Sequence, residues 1–455
     1  MPALTSLSKW GTWQQAHPEI ACGLKRGFTF YHHVLGESAI KPDRANQLLV
    51  AASPHDTISD THWYRADFDY LFVKEAQRTG VDYCDQVALN GATESSDGIL
   101  LTGRRNGSNF SVRAKFVVDA TGPRGFLHRA FELAELRLPE MPATQALYSH
   151  FSHVAPLGYD ENNTPAEQPP YPVESAAVHH IFDGGWVWLL RFNNGITSAG
   201  VAATDDAAEQ LRLHEGDRAW QRLLSLIPQL QHQFANARTE QPLTYIPRLS
   251  FRSGAVAGRS WALLPSAAGF IDPLLSTGFA LTLLGISRLA EIVESHWATR
   301  QFRPELDGYA AQTDKELLAA ARLIGSLYCS MADFPLFTSL TLLYFAAVIF
   351  SETARRLGKT HLAASFLLCD HPEFGPRCRE IFSRVRNVQT PNDSRCIQED
   401  ILRVVEPINL AGLGDPRRRN WYPVDAADLY ANGWKLGATH DDISALLQRC
   451  GFTSG

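Results

Sequence analysis

Two segments carry residue types whose order could support chemistry. Phe116-Val-Val-Asp-Ala-Thr-Gly122 is an apolar strand-like run ending in small residues. Such an end lets a large ligand approach the backbone at the carboxyl edge of a sheet. Leu263 to Gly278 (LLPSAAGFIDPLLSTG) is a second strand end, which runs through a Gly/Pro loop into an apolar helix beginning near Gly278. The first turn of that helix offers free N–H groups and a positive dipole end to an anion or an electron-rich ring edge. Other signatures are missing. There is no His-Glu-x-x-His and no Gly-x-Ser-x-Gly, and Gly358-Lys359-Thr360 lacks the earlier glycine of a phosphate loop, where Thr353 stands. Gly412-Leu-Gly414 has Arg417 in place of a third glycine, so the usual dinucleotide fingerprint is absent. The pairs His32-His33 and His179-His180 point opposite ways along a strand, which suits core or surface histidines and not a metal site.

The elements that must position these segments follow from periodicity. Residues 1–47 mix Trp, Pro and Gly without a periodic run and read as mostly loop, followed by a short strand over 47–53. Residues 66–79 place apolar side chains at 68, 71, 72 and 76, a helix stopped by Gly80. Strand runs at 81–89, 98–102 and 111–120 form a hairpin-rich segment leading into the buried Phe116-Val-Val strand. The Pro-rich stretch 154–174 is an excursion between domains, and 176–192 and 196–203 are strands joined by Asn193-Asn194-Gly195, a strong hairpin signal. A short strand at 261–264 and a helix over 278–295 follow, and from about 305 the pattern is helical. Phe334 to Phe350 is 17 residues of apolar sequence closed by Asp333 and Glu352, which reads as a buried helix better than as a membrane span. This order predicts an α/β nucleotide-binding domain interrupted by a β-rich insertion, with an α-helical C-terminal part.

With 455 residues, 45% of them hydrophobic, the chain can bury a large core, and a formal net charge of −6 gives no basic field for nucleic acid. Seven scattered cysteines without a Cys-x-x-Cys pair, and an N-terminus without an apolar signal region, suit a reduced cytoplasmic protein.

Taken together, the two strand-end segments resemble the flavin monooxygenase superfamily, in its flavin-dependent halogenase-like (tryptophan halogenase-like) branch, over most of residues 20–300. The resemblance implies a Rossmann-like, three-layer FAD-binding domain lacking its first βαβ unit, over 1–153 and 251–304. A β-rich substrate domain over 154–250 and a helical region over 305–455 complete it. It implies FAD as cofactor, lined by Ala120, Thr121, Gly122, Gly269, Asp272 and Pro273. His62-Trp-Tyr-Arg-Ala-Asp-Phe-Asp69 resembles the family's Arg-x-x-Phe-Asp helix start, which implies Arg65 on an FAD phosphate. Gly23-Leu-Lys25-Arg-Gly27 is similar to the segment that supplies the halogenases' active-site lysine, here Lys25, although an exposed lysine fits the sequence as well. Gly185-Trp186-Val-Trp188-Leu-Leu-Arg191 resembles the Trp-x-Trp-x-Ile-Pro motif and places Trp186 and Trp188 at the substrate pocket; their period-2 spacing suits core aromatics equally. Thr277 and Gly278 match the backbone amides that hold halide in the family. A small aromatic substrate, halide and a separate flavin reductase are the implied partners. The chain departs from the pattern in three places. The Gly-x-Gly-x-x-Gly unit is missing, Pro265-Ser266 replaces a Gly-Asp pair, and among the active-site motifs Leu275 stands where indole halogenases carry a catalytic glutamate and Arg191 where the Trp-x-Trp motif has its proline. A flavin hydroxylase or reductase without halide chemistry, or a remnant that no longer binds FAD, are the rival readings.

Overall fold

In the computed structural model, residues 8–37, 44–157 and 168–452 are described. A nine-stranded mixed sheet dominates the chain. Its central strands, Thr144–Ser152, Ile196–Thr204, Gly185–Arg191 and Ala177–Phe182, are antiparallel neighbours. Phe28–His32 then adds parallel to Ala177–Phe182, Gln47–Ala52 antiparallel to that, and Trp421–Pro423 parallel at the edge. The sheet therefore crosses the boundary expected at 153/154 and takes an edge strand from the helical region.

Alternation along these strands sorts their side chains into two cores. Phe28, Phe30, Leu48, Val50 and Trp186 face the C-terminal helices, where Phe28 meets Phe345 and Phe30 meets Phe337 edge-on. Tyr31, Leu49, Leu147, Phe151, Val187 and Val201 face a layer of short helices between Asp205 and Gln233, where Phe151 stacks on Trp220. Both faces being covered, the strands can be apolar on each side.

Beside this sheet, Val117–Asp119 and Trp261–Leu263 form a parallel pair, flanked by the antiparallel meander Val87–Ser95, Gly98–Arg105, Ser108–Ala114. The pair ends together at the two segments singled out from the sequence, and the helix Thr277–His296 departs from the second. Long helices Phe302–Cys329 and Phe334–Arg356 pack behind. Among the described residues two helical segments, Leu274–His296 and Phe334–Arg356, are long and apolar enough to cross a membrane, but 72% of the second's apolar window is buried in the fold, as expected for a core helix.

The structure corrects several expectations. Within 1–47, read as mostly loop, lie the helix Trp10–Ala16 and the strands Cys22–Lys25 and Phe28–His32; partners distant in sequence set these strands, with no local periodicity to announce them. The run 176–192 is two strands broken by Asp183-Gly184, where Gly184 takes φ +75°, a second Asp/Asn-Gly-type hairpin of the kind recognised at Gly195. The strand expected at 81–89 begins at Val87. Part of the 154–174 excursion, 158–167, lies outside the described residues.

Candidate active site

Asp119 closes the first strand and organises the turn after it. Its buried carboxylate accepts hydrogen bonds from the Thr121 amide (2.7 Å), the Thr121 hydroxyl (2.6 Å) and the Leu127 amide (2.7 Å). The Thr121 Oγ1 in turn accepts from the Phe126 amide at 2.6 Å, and Gly125 is required because a Cβ there would stand 2.2 Å from the same oxygen. Gly122, at φ +84°, has only open space where a side chain would be. Ala120, Thr121 and Gly122 thereby line one end of a cavity of about 690 Å³.

The 269–278 loop supplies further lining of this cavity. Asp272 is buried, accepting from the Leu274 amide (2.9 Å) and the Tyr328 hydroxyl (2.9 Å), while the Trp186 indole N–H donates to that hydroxyl at 3.2 Å. Desolvation pushes the Asp272 carboxyl up to about 6 against these hydrogen bonds. Leu275 and Ser276 are both left-handed, at φ 63° and 56°, a conformation costing non-glycine residues about 1–3 kcal/mol each and characteristic of functional turns. The Tyr344 hydroxyl, donating to the Leu275 carbonyl at 3.0 Å, holds this turn. The helix then starts at Thr277, with the Gly278 Cβ position empty and the buried Thr277 Oγ1 without a hydrogen-bond partner among the described residues.

Lys25 comes from the strand Cys22–Lys25, which pairs antiparallel with Asp60–Trp63 so that Lys25 faces Asp60 and Gly23 faces His62. Only glycine fits at 23, since a Cβ would lie 2.0 Å from the Arg191 carbonyl oxygen. The Lys25 ammonium sits 4.1 Å above the Phe28 ring, and desolvation lowers its pKa while Asp60 partly restores it. Next to it, His62 is 9% exposed and neither ring nitrogen has a partner among the described residues. Burial first, then the neighbouring Lys25 and His179, hold its pKa well below the usual histidine range.

A second cavity, about 1100 Å³, shares Lys25 with the first. Lys25, Thr61, Trp63, Ser276 and Phe279 belong to the walls of both. Of these five, Lys25 alone is charged.

The structure brings Lys25, Arg65, Ala120, Thr121, Gly122, Gly269, Asp272, Pro273, Thr277 and Gly278 around the 690 Å³ cavity. Arg65 stands at its rim with the side chain 75% exposed, held by Asp69 through two hydrogen bonds of 2.6 and 2.8 Å. Gly269 owes its residue type to packing, because a Cβ there would strike the Leu317 side chain at 2.7 Å. Trp186 and Trp188 line neither cavity. The pleat turns both toward the C-terminal helices, where Trp186 is fully buried against His179 (5.2 Å) and Trp188 donates to Ser198. Sequence reading missed His62, Asp119 and Tyr344. Asp119 had a signal, an acid ahead of Ala-Thr-Gly; His62 and Tyr344 acquire their positions only through tertiary pairing.

The architecture is shared with halogenases of known structure. Halogenase PltM, solved in complex with phloroglucinol and FAD, superposes with a TM-score of 0.76 at 20% identity, covering 92% of this chain and 87% of that one. The flavin-dependent brominase Bmp2 superposes at 0.56 with 19% identity, over 72% and 78%. The frame is thus the Rossmann-like α/β fold of these proteins with its helical C-terminal part. The tryptophan halogenase family model matches residues 30–338, and the chain belongs to this flavin-dependent halogenase family. It is 28% identical to tetracycline 7-halogenase of Kitasatospora aureofaciens over 93% of this chain and 80% of that protein. Against monodechloroaminopyrrolnitrin halogenase PrnC of Pseudomonas fluorescens it is 26% identical over 74% of this chain and 59% of the relative.

Proposed function

We propose that the chain is an FAD-dependent halogenase that oxidises halide and delivers the halogen to an electron-rich aromatic carbon. The residues fit the cofactor. Gly122 and Gly278 leave space where side chains would stand, and Thr277 and His62, whose buried Oγ1 and ring nitrogens have no partner among the described residues, belong to the lining of the same cavity. When bound, reduced FAD supplies activation of O2 and hence the oxidising power for halide. Ala120, Thr121, Gly122, Gly269, Asp272 and Pro273 would hold the flavin, and Arg65 would turn from Asp69 to a phosphate at the rim. The first-turn amides of Thr277 and Gly278 hold halide at the positive end of a 20-residue helix. Lys25, as the neutral amine that its lowered basicity favours, would take the halogen from hypohalous acid, its N–H proton and the hydroxide leaving as water, and would pass that halogen to a substrate carbon in the second cavity, regaining a proton from the ring. A separate flavin reductase supplies reduced FAD.

The observation that carries this reading is the placement of Lys25 as the one charged side chain common to both cavities among the described residues. The test mixes the chain with a flavin reductase, NADH, FAD, bromide and an electron-rich phenol. A brominated phenol is expected by mass spectrometry, and Lys25→Ala should lower its yield by about 100-fold or more while reduced FAD is still oxidised by O2. Undiminished bromination by Lys25→Ala would overturn the role of the lysine, and a hydroxylated, halogen-free product would assign oxygen transfer instead.

A further inference from the structure

The second cavity combines an aromatic wall with charge that the protein leaves uncompensated. Phe28, Trp63, Phe279, Tyr344, Phe345 and Phe366 give it flat apolar surfaces. The charged groups around it are Lys25, Asp60, Glu352, Arg355, Arg356 and Arg449. Both carboxylates are occupied: Glu352 by Arg356 at 2.7 Å and Asp60 by Lys9 at 3.0 Å. Arg355 donates to the Ala363 carbonyl and has no carboxylate partner among the described residues; Arg449 donates at 3.4 Å to the Arg356 carbonyl and has none either. Partial burial first, then the nearby Arg288, depress the Arg355 pKa, while Glu316, itself bonded to Arg288, partly restores it.

Geometry sets the distance over which this charge is read. Tyr344, Phe345, Val348, Ser351, Glu352 and Arg355 line the cavity from one side of the helix Phe334–Arg356. Phe345 touches Phe28, over which Lys25 sits, with ring centroids 5.0 Å apart. Arg355 lies ten residues further along, about 15 Å at 1.5 Å per residue. We infer that the second cavity takes an extended, multi-ring aromatic acid, its reactive ring against Phe28, Phe345 and Lys25 and its ionised carboxylate or acidic enol on Arg355. A single phenol ring filling the Lys25 end would leave Arg355 unanswered.

This inference rests on the halogenase reading, so binding and turnover are measured separately. Flavin-free chain is titrated by calorimetry with 6-hydroxy-2-naphthoate, its methyl ester and 2-naphthol. The acid is expected to bind about tenfold tighter than the ester, as a charge-assisted hydrogen bond implies. Arg355→Gln should bring the acid-to-ester ratio close to one, and Arg355→Lys should recover part of the preference, which separates charge reading from misfolding. In turnover with flavin reductase and bromide, KM for the acid should rise in Arg355→Gln. Equal binding of acid and ester by the parent chain overturns the inference, as does a preference that survives in Arg355→Gln, or turnover only of substrates tethered to a carrier protein. Acid-selective binding without any halogenated product keeps the inference and overturns the halogenase reading; brominated 2-naphthol without acid selectivity does the reverse.

Discussion

Single residues here separate structural from chemical roles, and two substitutions test that separation. Gly278 lies in the first turn of its helix with nothing within 4 Å of its Cβ position, whereas Gly23 and Gly269 are hemmed in by the Arg191 carbonyl and the Leu317 side chain. Gly278→Ala should therefore fold normally and gain up to about 1 kcal/mol from helix propensity. The new methyl points into the space where flavin and halide are proposed, so FAD affinity or the KM for bromide should worsen; a variant with both unchanged would remove Gly278 from the site. Asp272 gives a pH-dependent test. Its folded-state pKa, about 6, lies above the ordinary 3.8, so between these values the folded chain keeps a proton that the unfolded chain has released. The stability tied to this proton is complete below pH 3.8 and is lost as pH rises through 6, reaching about 3 kcal/mol. Asp272→Asn should raise the urea midpoint relative to the parent at pH 8 and leave it nearly unchanged near pH 4. Equal differences at the two pH values would show that the carboxyl is not buried as described.

Secondary-structure elements show how much of this was legible beforehand and where legibility stopped. The helix expected at 66–79 is Arg65–Arg78, the Asn193–Gly195 hairpin joins the strands it was expected to join, and the buried apolar helix begins at Phe334 as its sequence implies. Each of these is dictated by contiguous residues. The strand Cys22–Lys25 was invisible because its partner, Asp60–Trp63, is nearly forty residues away and neither is long enough to alternate recognisably. That pairing places His62 near Lys25, so a histidine in the proposed chemistry could not be read from its neighbours in sequence. The two tryptophans line neither cavity for the opposite reason. Their spacing correctly put them on one face of a strand, but only the packing of the helices Phe302–Cys329 and Phe334–Arg356 decides that this face is core. The Leu275–Ser276 turn, left-handed at two non-glycine positions, has no sequence signature at all.

At the scale of the whole molecule, buried imidazoles make the fold sensitive to acid. His33 is pushed down to about 4 and His179 to about 3, both chiefly by burial, and His62 and His180 lie well below 6.5. His33 and His180 share a hydrogen bond of 2.9 Å, which requires one to donate and the other to accept. Because the unfolded chain binds protons at 6.5 that the folded chain refuses, the stability linked to these groups is present above pH 6.5 and lost as pH falls toward their folded values. Near pH 5 the loss is about 2 kcal/mol each for His33 and His179, offset in part by Asp272. The midpoint of urea unfolding should drop steeply between pH 7 and 5, and a flat profile would contradict neutral burial. The edge of the large sheet has a consequence in time. Trp421 pairs with Leu49, so the strand Gln47–Ala52 waits for a partner that leaves the ribosome 372 residues later, roughly 20–70 s at ordinary rates of synthesis. Throughout that interval the nascent chain carries an unpaired apolar edge, and its yield in a cell depends on what shields that edge until the strand Trp421–Pro423 emerges.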